Sequence, residues 1–203
     1  MHHDSKPFSR TAIAIISIAV CTYSTGAGAQ FSCANPVYLT FDTGHMETAP
    51  LVADVLRKQQ VKATFFVANE RTKKGDGSLG NDWAFWWKAM AAQGHEFASH
   101  TYDHVYWRGD IRGVKPTFRM QPTSGAFEGR EFTWDAAKYC EQIGRAAERI
   151  QDHTGKKPLP LFRAPGGKTS PRLLEVASAC SYAHVGWAAA GFLGDELPSE
   201  KFS

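Results

Sequence analysis

An α/β fold with parallel strand pairing is predicted for this chain, and three observations carry the prediction. Short β-like runs alternate with segments of helical period from Val37 onward. Three of the helical segments open on Thr, or on Ser followed by Pro, and two segments close on Gly. The length, 203 residues, is that of one domain with a sizeable core.

The first 29 residues stand outside that core. Lys6 and Arg10 give a positive start, Thr11 to Cys21 is an apolar run, and Ala27-Gly28-Ala29 is a small-x-small cleavage signal. The pattern reads as a secretory signal peptide cut before Gln30, with the remaining domain running from 30 to 203. The apolar run is short for a membrane span and has no stop-transfer flank, so no stable span is expected after cleavage.

Val37–Phe41 is strand-like. Thr48 caps a helix that tolerates Pro50 in its first turn and runs to about Gln60. Lys62–Val67 is the second strand, Asp82–Ala92 is helical and stops at Gly94, and His95–Ser99 is the third strand. Thr133 caps a long helix whose stripe is Ala137, Cys140, Ile143, Ala147 and Ile150, closed by Gly155. Leu159–Arg163 is again strand-like, Ser170-Pro171 opens another helix, and Tyr182–Trp187 is the last strand. Two stretches, Arg71–Asn81 and Val105–Glu131, lack periodicity and read as long loops, either surface decoration or substrate lids. The second is placed as a groove wall, because Tyr106, Trp107 and Arg108 follow a histidine pair directly.

With 23 Lys and Arg against 20 Asp and Glu, the net charge is +3, and no basic run interleaves with aromatics. That argues against a nucleic-acid partner. Export implies an oxidising compartment, yet Cys33, Cys140 and Cys180 make an odd number after cleavage. Cys140 and Cys180 can be neighbours, leaving Cys33 over, but spacing alone does not fix the pairing.

Three segments carry chemistry. In Ser99-His100-Thr101-Tyr102-Asp103-His104, two histidines four residues apart can meet one metal ion if the segment is helical or tightly turned. In Thr40-Phe41-Asp42-Thr43-Gly44, an aspartate ends a strand, where α/β sheets place reactive side chains. In Arg163-Ala164-Pro165-Gly166-Gly167, an arginine pinned by Pro and two Gly can hold that aspartate oriented and ionised, with a depressed pKa. Base, metal and tether together describe a hydrolytic site.

In this order, and with Val61-Lys62-Ala63-Thr64-Phe65-Phe66-Val67 and Gly94-His95-Glu96-Phe97-Ala98 between them, the segments resemble the polysaccharide deacetylase family, the NodB-homology domain of carbohydrate esterase family 4. The resemblance runs from about Asn35 to the end. It implies a distorted, incomplete (β/α) barrel and a divalent metal, zinc by preference. His100 and His104 are then metal ligands, Asp42 is the catalytic base, Arg163 is its partner, and Trp187 in Gly186-Trp187 lines an acetyl pocket. Tyr106 and Trp107 are further substrate-binding candidates.

The chain departs from the family at two places. Thr43 stands where the family has a second aspartate as third ligand, and a neutral hydroxyl is a poor ligand beside a carboxylate. Water completes the shell, or His45 swings in as a possible third protein ligand, or the site holds no metal. Asp195 is the nearest match to an aspartate of the family's fourth motif. The family's final leucine-x-histidine, which supplies a general acid, has no counterpart, and Leu197 to Ser203 reads as a loop cut in mid-course, so the domain is expected to lack its last strand and helix. The expected function is an exported, metal-dependent deacetylase acting on N- or O-acetyl groups of a polysaccharide. A glycan-binding protein with the same fold and impaired catalysis, or an incomplete gene product, are the alternatives. Peptidoglycan, chitin-like chains, xylan and exopolysaccharide all stay open as substrates.

Overall fold

A computed structural model describes residues 37–73 and 75–187. The expected signal peptide, Cys33, Asp195 and the closing loop lie outside the described residues. Five short strands form a parallel sheet in the order β1 (Thr40–Asp42), β2 (Thr64–Val67), β3 (Glu96–Ser99), β7 (Leu161–Phe162) and β8 (Ala183–His184). Parallel neighbours need a crossover, and helices supply it. α1 (Ala49–Gln59) joins β1 to β2, α2 (Ala84–Ala92) joins β2 to β3, α3 (Ala136–Thr154) precedes β7, and α4 (Pro171–Ala179) joins β7 to β8. The register pairs Asp42 with Phe66 and Ser99 with both Val67 and Phe162, so the strand ends that carry the motif residues lie side by side.

Two packed clusters hold the sheet. Phe65, Val67 and Phe97 meet Leu56, Trp87, Met90 and Ile150 in one. Phe118, Met120, Tyr139, Ile143, Phe162 and Leu173 make the other. α3 serves both, because its inward positions recur at helical spacing: Tyr139 and Ile143 face the second cluster, Ala146 and Ile150 the first. A disulfide joins Cys140 of α3 to Cys180 at the end of α4, with Cα atoms 6.0 Å apart.

The structure corrects the expected long loop over Val105–Glu131. Instead β4 (Val105–Asp110), β5 (Thr117–Pro122) and β6 (Phe132–Asp135) form a three-stranded antiparallel sheet. β5 buries Phe118, Met120 and Pro122 and turns the residues between them outward, the alternation of a half-buried strand. A register shift between Trp107 and Gly109 interrupts the same pattern in β4. A second correction concerns the start of α3. Its cap is Asp135, whose side chain accepts from the Lys138 N–H, while Thr133 pairs with Arg119 in the ladder. Ser170 does cap α4, accepting from Leu173 N–H, and Gly155 ends α3 with φ 69°. Among the described residues no helix is long and apolar enough to cross a membrane.

Candidate active site

The site lies at the carboxyl ends of the parallel strands, where side chains leave the sheet but remain fixed by it. Asp42 closes β1, His100 follows β3, Arg163 follows β7, and Val185 follows β8. Arg163 is 2% exposed, and each of its three guanidinium nitrogens donates a hydrogen bond. Nη1 donates to Asp42 Oδ1 at 2.7 Å, Nη2 to Thr40 Oγ1 at 3.0 Å, and Nε to the Val185 carbonyl at 3.0 Å. Its face lies 4.1 Å from the Phe66 ring and 5.3 Å from that of Trp187. Three strands therefore grip one cation, which in turn fixes one carboxylate.

The histidine pair sits on a tight turn, not on a helix. Thr101 and His104 adopt left-handed backbone conformations, φ 62° and 47°, and the Thr101 hydroxyl accepts from the Val105 N–H at 2.8 Å. Such backbone costs about 1–3 kcal/mol per residue and persists only where its surroundings hold it. The two rings come within 4.9 Å, centroid to centroid, so the turn does what a helical i, i+4 pair would do.

Their hydrogen bonds fix both tautomers. His100 Nδ1 lies 2.9 Å from the Arg163 carbonyl, which can only accept, so Nδ1 carries the proton and Nε2 a lone pair. Thr123 Oγ1 donates to the His104 carbonyl at 2.8 Å, which leaves it to accept from His104 Nδ1 at 2.5 Å. His104 Nε2 is thereby left with its lone pair as well. Burial pulls the His100 pKa down to about 4, aided by the Arg163 charge against the helpful carbonyl bond. It pulls His104 down to about 3, with His100 adding to the effect. Both rings are neutral at physiological pH, so the 3.7 Å approach of His100 Nε2 to Asp42 Oδ2 is a dipolar contact and not an ion pair.

Asp42 departs from the expectation of a depressed pKa. Burial raises it, and the opposing effects of Arg163, His104 and a hydrogen bond from Trp187 do not cancel that. A carboxylate so placed is a stronger base than one in water.

The remaining candidates divide. Tyr106 lies 5.4 Å from the His104 ring and has Lys168 Nζ 4.5 Å above its own, at the rim of the site. Trp107, its neighbour on β4, points to the other face, against the second core cluster, and donates to Asp110 at 3.0 Å. Trp187 is half-exposed over Arg163. His45 is exposed, accepts from the Glu47 N–H at 3.2 Å, and lines a cavity of about 310 Å³ with Phe41, Met46 and Trp86. Thr43 turns its hydroxyl back onto the end of β2, accepting from the Ala68 N–H at 2.8 Å.

Sequence reasoning missed Thr40, Thr123 and Glu70. Glu70 follows β2, forms a side-chain hydrogen bond with Thr43, and leaves Oε2 buried with no partner. Burial, reinforced by the charge of Asp42, pushes its pKa up to about 7. Its place just past a strand end was the only available signal.

Two imidazole lone pairs beside carboxylates are a donor set that suits zinc. Among the described residues, however, no three His, Cys, Asp or Glu side chains stand close enough to form a ready metal cluster.

Comparison with known proteins identifies the family and the fold. The profile of the polysaccharide deacetylase family matches residues 32–185. The chain is 25% identical to a chitooligosaccharide deacetylase of Azorhizobium caulinodans over 152 residues, covering 74% of this chain and 57% of that protein. Among solved structures, the chitin deacetylase of Colletotrichum lindemuthianum matches with a TM-score of 0.53 at 22% identity, covering 75% of this chain and 56% of that one. A family pseudoenzyme of Bacillus anthracis matches with a TM-score of 0.50 at 17% identity, covering 74% and 42%. The chain spans about half the length, or less, of the curated relatives it matches. It belongs to the polysaccharide deacetylase family.

Proposed function

We propose that this chain is an exported, metal-dependent deacetylase that hydrolyses acetyl groups on a polysaccharide. The observation that carries the reading is the pairing of a buried, arginine-held aspartate with two histidines that both present Nε2 lone pairs. His100 and His104 would hold the cation. A bound divalent ion supplies Lewis acidity toward the acetyl carbonyl and eases deprotonation of water.

Asp42 takes the proton from the attacking water. Its raised basicity favours the transfer, and Arg163 keeps the carboxylate aimed while leaving Oδ2 free of the guanidinium bond. The proton held on Asp42 is then available to the leaving group as the acetyl carbon collapses to acetate. Trp187 and Tyr106 flank this centre and supply apolar surface for the acetyl methyl and the sugar. The names of relatives make chitin-type and peptidoglycan chains the first substrates to try. For export, the support is the leader-like pattern of residues 1–29 and the Cys140–Cys180 disulfide, which suits an oxidising compartment.

A second reading, glycan binding without turnover, is favoured by Thr43, whose hydroxyl is committed to Ala68. Asp42→Asn separates the two. As an enzyme, the variant keeps zinc and loses acetate release by about 10²–10⁴-fold. A wild-type chain retained on chitin or peptidoglycan, with no acetate released, supports the binding reading instead.

A further inference from the structure

We propose that Glu70 is the carboxylate ligand of the cation held by His100 and His104, standing in for the residue at position 43. This rests on the reading of those two histidines as metal ligands.

Position comes first. β2 lies between β1, which carries Asp42 and leads into Thr43, and β3, which leads into His100. Glu70 therefore emerges between the two strands whose ends define the site. Its backbone is tied to the histidine turn on one side, where Asn69 N–H donates to the Tyr102 carbonyl at 2.7 Å. On the other, Ser124 Oγ donates to the Asn69 carbonyl at 2.6 Å, one residue past the threonine that orients His104. Ser78 locks Glu70 itself: its hydroxyl accepts from the Glu70 N–H at 2.9 Å, and its N–H donates to the Glu70 carbonyl at 2.8 Å.

The side chain is what this frame leaves unsatisfied. Glu70 Oε2 is buried and has no hydrogen-bond partner, and among the described residues no Lys or Arg forms an ion pair with Glu70. The adjacent Arg71 turns outward to Glu128. A buried carboxylate oxygen without a partner is costly, and such groups are ordinarily paired or bound to metal. Asp42 and Glu70 interact as like charges, while the one buried arginine of the site is committed to Asp42. A divalent cation beside the histidines meets both deficits. Thr43 is the weaker ligand, because a neutral hydroxyl binds a divalent ion poorly beside a carboxylate and this one already accepts from the Ala68 N–H. In the described structure Glu70 does not yet close a three-residue cluster with the histidines. The ligand role requires the carboxylate to turn away from Thr43 and toward the histidines about its own side-chain bonds, with Oε2 the oxygen that has no other partner.

Zinc competition against a chromophoric chelator tests this on the 203-residue chain, with wild type, His100→Ala and Glu70→Gln compared. Thermal unfolding of each metal-free protein is followed in parallel. Glu70→Gln is expected to weaken zinc at least about 10-fold, since even residues that only support a ligand cost 10–100-fold. It should also change the visible spectrum of the Co²⁺-loaded protein and leave the metal-free unfolding temperature unchanged or higher. If Glu70→Gln holds zinc as tightly as wild type while His100→Ala has lost it, Glu70 is no ligand and the histidine reading stands. Loss of zinc together with loss of cooperative unfolding overturns the inference too, by making Glu70 structural. A wild-type chain that takes up no zinc overturns the histidine reading, and this inference falls with it.

Discussion

Arg163→Met is the substitution whose consequences follow most directly from the geometry. Met keeps much of the side-chain volume and removes the charge together with three hydrogen bonds. Asp42 then loses its 2.7 Å partner, while the Thr40 hydroxyl and the Val185 carbonyl lose bonds of 3.0 Å each. Removing one member of a buried ion pair costs about 3–5 kcal/mol, because the other charge remains out of water. At about 2–4 °C per kcal/mol for a domain of this size, the unfolding temperature should fall by about 6–20 °C. A double-mutant cycle identifies the cause. Asp42→Asn removes the charge that Arg163 compensates, so the pair of substitutions together should cost less than their sum, with a coupling energy of about 1–3 kcal/mol. The chemistry moves in a defined direction as well. Asp42 is already raised by burial against the pull of Arg163, so losing the arginine raises it further. The acid limb of the activity profile should shift to higher pH, because the base is protonated over a wider range. Additive unfolding energies, or an acid limb that stays in place, would refute the claim that Arg163 acts through Asp42.

Two further expectations concern stability. His95 is 1% exposed, accepts from the Ala63 N–H at 3.1 Å, and has its pKa lowered chiefly by burial. The unfolded chain therefore binds a proton that the folded one refuses, so this residue destabilises the fold as pH drops below about 6.5. Urea titrations of His95→Gln between pH 5 and pH 7 should show a shallower loss than wild type, and parallel curves would remove His95 as the cause. The disulfide closes a segment with a sequence separation of 40. The chain-entropy relation assigns it about 4 kcal/mol. Reduction, or replacement of Cys140 and Cys180 by Ser, should lower the urea midpoint accordingly, and an unmoved midpoint would mean that the bond contributes nothing.

The parallel half of the fold was legible because its strands are covered on both sides. Thr64–Val67 and Glu96–Ser99 are almost wholly buried, and their apolar centres, Phe65-Phe66-Val67 and Phe97-Ala98, stand out between helical periods. The antiparallel half was not, although β5 carries the right alternation. Its neighbours hide it: β4 is broken by a register shift at Trp107 to Gly109, and β6 has only four residues. Thr133 and Asp135 are both residue types that cap helices, so sequence could not choose between them. Ladder pairing with Arg119 makes the choice by taking Thr133 into the sheet.

The site shows a similar division. Asp42, His100, His104 and Arg163, which the fold brings together, are singled out by motif because each has fixed neighbours in sequence. Properties that arise from many neighbours at once were not. The direction of the Asp42 pKa is one, because a visible partner argues for depression while burial, which no motif displays, wins. Glu70 is the other. On the page of the sequence it is one polar residue opening a polar loop, and only the fold closes Ser78, Asn69 and the histidine turn around it. Positions 43 and 70 then have to be weighed together. A neutral threonine at 43 removes one negative charge from the end of β1, and Glu70 supplies one at the end of β2. Once a cation ionises Glu70, whose pKa burial and Asp42 hold at about 7, the formal charge facing the histidines equals that of two adjacent aspartates. A threonine in the first motif is therefore no argument by itself that the metal has gone.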